Sequence, residues 1–268
     1  MPELPEVETV ARSLQNLIAG KRITSINIIY PKIIENTNVP ISNIINQRIK
    51  SVDRRAKYII LNLEKNIIAV HLRMTGKLYI SDETNLKHIH AVITLDKKES
   101  LVYEDVRKFG RISILNNISE IKQALGIEPL SDKFNIDWCK KYFFRTNRQI
   151  KSLLLDQSFI VGLGNIYIDE ALWSSKIHPQ QISSKIPLKK LIKLHESILD
   201  ILKKSIKYHG TTIRDFVFEG FRIGDYSSEL KVFNKTGLPC QRCDKLIKKI
   251  KVASRGTHIC INCQKLRN

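Results

Sequence analysis

Cys240-Gln241-Arg242-Cys243, followed after sixteen residues by Cys260-Ile261-Asn262-Cys263, forms two tight knuckles whose spacing fits a β-hairpin between them. In a reducing compartment four such thiols read as one tetrahedral zinc site rather than two disulfides. Four thiolates leave no position for a reactive water, so the Zn2+ held by Cys240, Cys243, Cys260 and Cys263 is structural. The predicted strands are Leu246 to Val252 and Thr257 to Ile259, with too little core to fold without metal. From Cys240 onward, eight Lys and Arg stand against the single Asp244, which makes the hairpin a contact surface for phosphate or sugar. Arg255, beside Gly256 at the turn, sits at its tip. A solvated turn arginine is the plainer alternative. Cys139 is outside the array and reads as packing.

The rest of the chain fits a polyanion partner. Its 268 residues hold 45 Lys and Arg against 26 Asp and Glu, a formal charge of +19, and such a field makes binding steeply salt-dependent. No run of 18 apolar residues occurs, and the acidic first ten residues lack the basic and apolar regions of a signal peptide. The expected compartment is cytosolic and close to nucleic acid, without membrane attachment.

Upstream of the array the hydrophobic period changes twice. Val7, Val10, Ala11, Leu14, Leu17 and Ile18 have helical spacing, with Pro5 in the first turn and Gly20 as the stop. Short β-rich runs follow at Ile26–Tyr30, Tyr58–Leu63, Ile67–Leu72, Leu78–Ile80, Ala91–Leu95, Leu101–Tyr103 and Arg111–Leu115, which suggest a sandwich or flattened barrel. From about Phe134 the period is helical, through Trp138–Phe144, Ile150–Leu155, Ile166–Trp173 and Leu188–Tyr208. Gly162-Leu163-Gly164-Asn165 lies between two of these helices. Asn165 is placed to cap the second, and the glycines let backbone N–H groups approach an anion.

The candidate chemistry begins at Pro2. Methionine aminopeptidase removes Met1 before a small residue, which would leave a terminal secondary amine. An α-amino group titrates roughly two units below lysine, so about a hundredfold more of it is neutral and nucleophilic near pH 7. Attack on a sugar C1′ gives a cationic iminium that acidifies the next carbon and permits elimination. With Met1 retained the nitrogen is an amide and this chemistry stops. Glu3 is placed to protonate a leaving group or the opening sugar, while Glu6 and Glu8 also suit a helix dipole. Lys57, at a strand entrance in Arg54-Arg55-Ala56-Lys57-Tyr58, is a second amine, although surface charge is the commoner role. Met74 and Phe109 are apolar groups at strand ends, suited to core packing or to wedging beside a flipped nucleotide.

Together these segments resemble the bacterial formamidopyrimidine-DNA glycosylases over essentially the whole chain. The matching signatures are Pro2-Glu3-Leu4-Pro5-Glu6-Val7-Glu8-Thr9, Arg54-Arg55-Ala56-Lys57-Tyr58, His71-Leu72-Arg73-Met74-Thr75-Gly76, Gly162-Leu163-Gly164-Asn165-Ile166-Tyr167, Thr211-Thr212-Ile213-Arg214-Asp215-Phe216 and the cysteine array. The resemblance implies an α+β fold: an N-terminal β-sandwich with an N-terminal helix, a C-terminal helix-two-turn-helix domain and a four-cysteine zinc finger. The implied divisions are a catalytic domain over 1–118, a linker over 119–133, the DNA-binding domain over 134–222 and the finger region over 223–268, its hairpin spanning 240–263.

The implied activity is bifunctional: excision of 8-oxoguanine and formamidopyrimidines through a Pro2 Schiff base, then strand cleavage by β,δ-elimination at an abasic site. By the same resemblance Glu3 donates a proton to the sugar, Lys57 assists base loss and β-elimination, and Arg255 serves δ-elimination. Met74, Arg107 and Phe109 would fill the void left by the everted nucleotide, with Arg107 facing the orphaned cytosine. His90, Arg148, Lys151 and Asn165 would touch DNA phosphates, and Thr211 to Ser227 would close over the base. The implied partner is damaged double-stranded DNA, bound by a bacterial, cytoplasmic, nucleoid-associated monomer without a nucleotide cofactor.

Two segments depart from the family pattern. Asp105-Val106-Arg107-Lys108-Phe109-Gly110 lacks a proline at 106, which is expected to loosen that turn, and Gly220 to Tyr226 differ in the closing loop. The alternatives are an oxidised-pyrimidine glycosylase of the endonuclease VIII type and a non-catalytic damage-binding zinc protein. Leu4, where the pyrimidine enzyme commonly has glycine, and the wedge residues favour the purine enzyme.

Overall fold

The computed structural model describes residues 2–35, 37–96, 99–121, 124–211 and 224–266. Thr212 to Phe216 and most of the expected closing loop, including Gly220 to Ile223, lie outside them. The chain divides into two units, 1–123 with 212–223, and 124–211 with 224–268.

The first unit opens with helix α1 (Leu4–Ile18), whose Val7, Val10, Leu14 and Ile18 are buried at helical spacing. Two four-stranded antiparallel sheets follow. One has the order β1 (Ile23–Ile28), β6 (Ile89–Leu95), β7 (Ser100–Asp105), β5 (Gly76–Ile80); the other is β2 (Ile49–Arg55), β3 (Tyr58–Leu63), β4 (Ile67–His71), β8 (Arg111–Leu115). Ile23, Leu78, Ile93 and Leu101 of one sheet share a core with Ile59, Leu61, Val70 and Ile114 of the other, and the α1 side chains join it. The unit is a β-sandwich. β2 lies outside the strands expected from sequence, because it buries only Ile49 and Val52 and presents charge elsewhere.

The second unit holds α2 (Ile136–Phe143), α3 (Ile150–Leu155), α4 (Asn165–Ser174), α5 (Leu188–Lys207) and the hairpin β9 (Lys248–Val252), β10 (Arg255–Ile259). It takes in 124–133, placed in the linker by sequence: Ile127 bridges Ile160, and a side chain at Gly126 would meet the Phe159 carbonyl at 2.3 Å. Between α3 and α4, Gln157 staples the two turns, accepting the Gly162 N–H at 2.9 Å and donating to the Leu163 carbonyl at 2.9 Å. Cys139 is buried, and desolvation pushes its thiol up to about 12, as suits an inert packing residue. No helix among the described residues is long and apolar enough to cross a membrane.

Candidate functional site

Pro2 and Glu3 are both buried at the start of α1, Glu3 being its N-cap. The Glu6 carboxylate accepts the Glu3 N–H at 2.9 Å, one arm of a capping box that fixes the backbone beside Pro2. Glu6 thus stabilises the helix start. Glu8 accepts from Arg54 Nε at 2.7 Å and from Arg12 Nε at 2.7 Å. Arg54 also donates through Nη1 to the Ala56 carbonyl at 2.9 Å. Ala56 and Lys57 form the two-residue turn between β2 and β3, with Ala56 at φ 55° and Lys57 only 5% exposed. Arg54, unremarked as a functional residue by its sequence, therefore ties the Lys57 turn to the helix that Glu3 caps.

His71 is buried at the end of β4, edge-on to the Tyr58 ring, and its Nδ1 accepts the Arg73 N–H at 3.0 Å. Desolvation, reinforced by the positive Arg73 and Lys57, lowers its pKa to about 3, so the ring is neutral at pH 7. The unfolded chain takes up that proton first. Stability from this group is complete above about pH 6.5 and is lost as pH falls towards 3, by up to about 5 kcal/mol. The urea midpoint of wild type is expected to drop more between pH 7 and 4 than that of His71→Phe; parallel curves would refute the assignment.

The three expected void-filling residues meet at one surface of this unit. Arg107 donates to Met74 Sδ at 3.1 Å, and its guanidinium lies 4.6 Å from the Phe109 ring centroid. Met74 and Phe109 are 42% and 47% exposed, which rules out core packing for either. Asp105 organises their loops. Fully buried, it accepts the Arg107 N–H at 3.1 Å, the Gly110 N–H at 2.8 Å and the Thr75 hydroxyl. A Cβ at Gly110 would collide with the Tyr103 hydroxyl at 1.6 Å, so only glycine fits. The expected loosening from Val106 is therefore corrected: the Asp105 carboxylate holds this turn without a proline.

His90 was expected at a DNA phosphate, but its ring is buried and its Nε2 donates to the Asp105 carbonyl at 2.8 Å. It supports the wedge loop from beneath.

In the second unit Arg148 is exposed, with one guanidinium nitrogen 2.8 Å from Asp156. Asn165 is the first residue of α4 and Gly164 the N-cap, which corrects the capping expectation. The Asn165 amide nitrogen donates to the Gly256 carbonyl at 2.9 Å and keeps a second N–H. Lys151 is fully buried, its ammonium 2.5 Å from Asp169 and 2.8 Å from the Thr257 hydroxyl. A direct phosphate contact by Lys151 is not what this arrangement provides. Arg255 is exposed and pairs with Val252 across the two-residue turn Ala253-Ser254. Glu170, also missed from sequence, accepts the N–H groups of Lys231, Val232 and Phe233 at 2.9 Å each. Its burial raises the pKa, against those three hydrogen bonds.

The Sγ atoms of Cys240, Cys243, Cys260 and Cys263 all lie within 4.8 Å of one another. The Cys240–Cys263, Cys243–Cys260 and Cys243–Cys263 separations are 3.9, 3.5 and 3.5 Å. A tetrahedron with Zn–S bonds of about 2.3 Å has edges of ~3.8 Å, whereas a disulfide needs about 2.05 Å. The site fits one structural zinc. Trp173 donates to Cys240 Sγ at 3.4 Å, and Arg242 stacks 3.7 Å above its ring.

Residues 1–112 match the family model for the formamidopyrimidine-DNA glycosylase N-terminal domain, 125–217 that for its H2TH domain, and 237–266 a zinc finger found in FPG and IleRS. The chain is 42% identical to the formamidopyrimidine-DNA glycosylase of Desulforamulus reducens over 100% of both chains. It is similar to wild-type Lactococcus lactis Fpg (MutM) in complex with N7-benzyl-Fapy-dG DNA, at TM-score 0.89 and 36% identity, covering 98% of this chain and 100% of that one. It is similar to the L. lactis Fpg complex with abasic-site DNA at TM-score 0.88 and 36% identity, covering 98% and 99%.

Proposed function

The chain belongs to the formamidopyrimidine-DNA glycosylase family, and from that premise we propose how its own residues divide the work of removing oxidised purines and then cutting the strand. The observation that carries the reading is a Pro2-Glu3 helix start in the same unit as the buried Lys57 turn and the exposed Met74–Arg107–Phe109 wedge.

With Met1 removed, the Pro2 nitrogen attacks C1′ as the C1′–base bond breaks, and the base leaves with a proton. Glu3 protonates the sugar ring oxygen as the ring opens to the iminium. Lys57 serves base loss and β-elimination: a proton leaves C2′, the C3′–O3′ bond breaks and the first phosphate departs. In δ-elimination a proton leaves C4′, the C5′–O5′ bond breaks and the second phosphate departs, with the guanidinium of Arg255 as hydrogen-bond donor to that phosphate. Hydrolysis of the iminium frees Pro2.

Met74, Arg107 and Phe109 occupy the space of the everted nucleotide, which lowers the unstacking cost. Asp105→Ala is expected to weaken binding to a lesion duplex by about tenfold, since each buried hydrogen bond to a charged group contributes about 1.5–3 kcal/mol. Unchanged affinity in a titration would contradict that role.

The L. lactis complexes support DNA as the partner, and the +19 charge supports a duplex. The reading needs one chain, no nucleotide cofactor, and a bacterial cytoplasm at the nucleoid. The catalytic domain is assigned to 1–118, the helical DNA-binding domain to 134–222 together with 124–133 of the expected linker, and the finger to 223–268. Excision rates on duplexes carrying 8-oxoguanine opposite cytosine or thymine glycol test the substrate. Preference for 8-oxoguanine is expected; preference for thymine glycol would transfer the chain to the pyrimidine specificity.

A further inference from the structure

The strand that carries Arg255 is held by a polar chain buried in the second unit. Residues 255, 257 and 259 of β10 face β9 in the register set by Arg255↔Val252, so Gly256 and His258 turn their backbone polar groups outward. Both are taken by side chains of α4: Asn165 donates to the Gly256 carbonyl at 2.9 Å, and Asp169 Oδ2 accepts the His258 N–H at 2.8 Å. Asp169 Oδ1 accepts from Lys151 of α3, whose ammonium also donates to the Thr257 hydroxyl. That hydroxyl donates in turn to the carbonyl of Arg255 at 3.1 Å. Asp169, Lys151 and Thr257 are all fully buried, whereas Arg255 is exposed. Such a buried pair is weak evidence for stability, since apolar replacements are often as stable, and fixing one geometry is a better-supported use.

We propose that the buried Asp169–Lys151–Thr257 chain is a positioning device that aims Arg255, and so sets the proportion of cut strands that proceed from β- to δ-elimination. The inference rests on the assignment of Arg255 to the δ step. Displacing a group by about 1 Å costs up to about 100-fold in rate. Only the second elimination depends on Arg255, so the β step is spared.

The test uses the full zinc-loaded chain on a duplex with a preformed abasic site and measures 3′-phosphate ends (δ) against 3′-unsaturated aldehyde ends (β). Thr257→Val removes the hydroxyl and leaves Lys151 on Asp169; Lys151→Met with Asp169→Asn removes both buried charges and keeps an acceptor for His258. Both are expected to lower the δ-to-β ratio by about tenfold, with one zinc per chain and β-elimination within about twofold of wild type. Thr257→Ser is expected to restore the ratio. Arg255→Gln sets the floor. If Arg255→Gln lowers the ratio while both other variants keep it, the positioning device is refuted and the Arg255 assignment stands. If Arg255→Gln also keeps it, both fall. Should the double variant lose zinc or fold, Thr257→Val and Thr257→Ser decide.

Discussion

Glu3→Gln is expected to excise 8-oxoguanine about 10²- to 10⁴-fold more slowly than wild type, the range that a positioned general acid contributes. On a duplex with a preformed abasic site the same variant is expected to cut within about tenfold of wild type, because an abasic sugar already opens to the aldehyde without an acid. The fold tolerates the change. Glu3 closes α1 through its backbone N–H on Glu6 as well as through its side chain, and glutamine keeps an acceptor oxygen. Parallel single-turnover assays on the two duplexes measure the split. Equal loss on both would show that Glu3 acts on the Schiff base itself or on the fold.

Stripping the zinc, or replacing Cys260 with alanine, is expected to reduce cleavage of the abasic duplex by at least about 100-fold. The finger's apolar cluster among the described residues is small: Trp173, Val232, Cys240, Ile247 and Cys260. Structural zinc contributes an apparent 10–16 kcal/mol or so in zinc-finger peptides, far more than such a cluster supplies. Without the metal the outward edge of β10 leaves Asn165 and Asp169, and the buried Lys151–Asp169 pair loses Thr257. Trp173, hydrogen-bonded to Cys240 and stacked under Arg242, reports the event by its fluorescence. Full cleavage by a zinc-free chain with altered Trp173 emission would show that the finger is dispensable.

Much of this architecture is legible before any coordinates. The apolar runs mark β3 as Tyr58–Leu63, β8 as Arg111–Leu115 and α3 as Ile150–Leu155, each with the observed bounds. The cysteine spacing marks the metal site, because knuckle geometry is local. What is hidden depends on partners far along the chain. The resemblance puts Lys151 and His90 at DNA phosphates, yet Lys151 meets Asp169 and Thr257, 18 and 106 residues away, and His90 meets the Asp105 carbonyl. Asn165 reads as a cap until Gly256, 91 residues on, takes its amide. Glu8 reads as a helix-dipole charge and Arg54 only as a neighbour in the Lys57 motif; their 2.7 Å contact makes them a support for the Lys57 turn.

In the proposed reaction the amine of Pro2 forms the covalent link to the sugar. Borohydride reduction during turnover on a duplex with 8-oxoguanine opposite cytosine tests it directly, with Met1-processed and Met1-retaining protein run side by side. The expected result is a trapped protein–DNA adduct with the processed chain only, mapping by peptide mass to residue 2. An adduct that maps to Lys57, or one that forms equally with Met1 in place, would show that Pro2 is not the nucleophile.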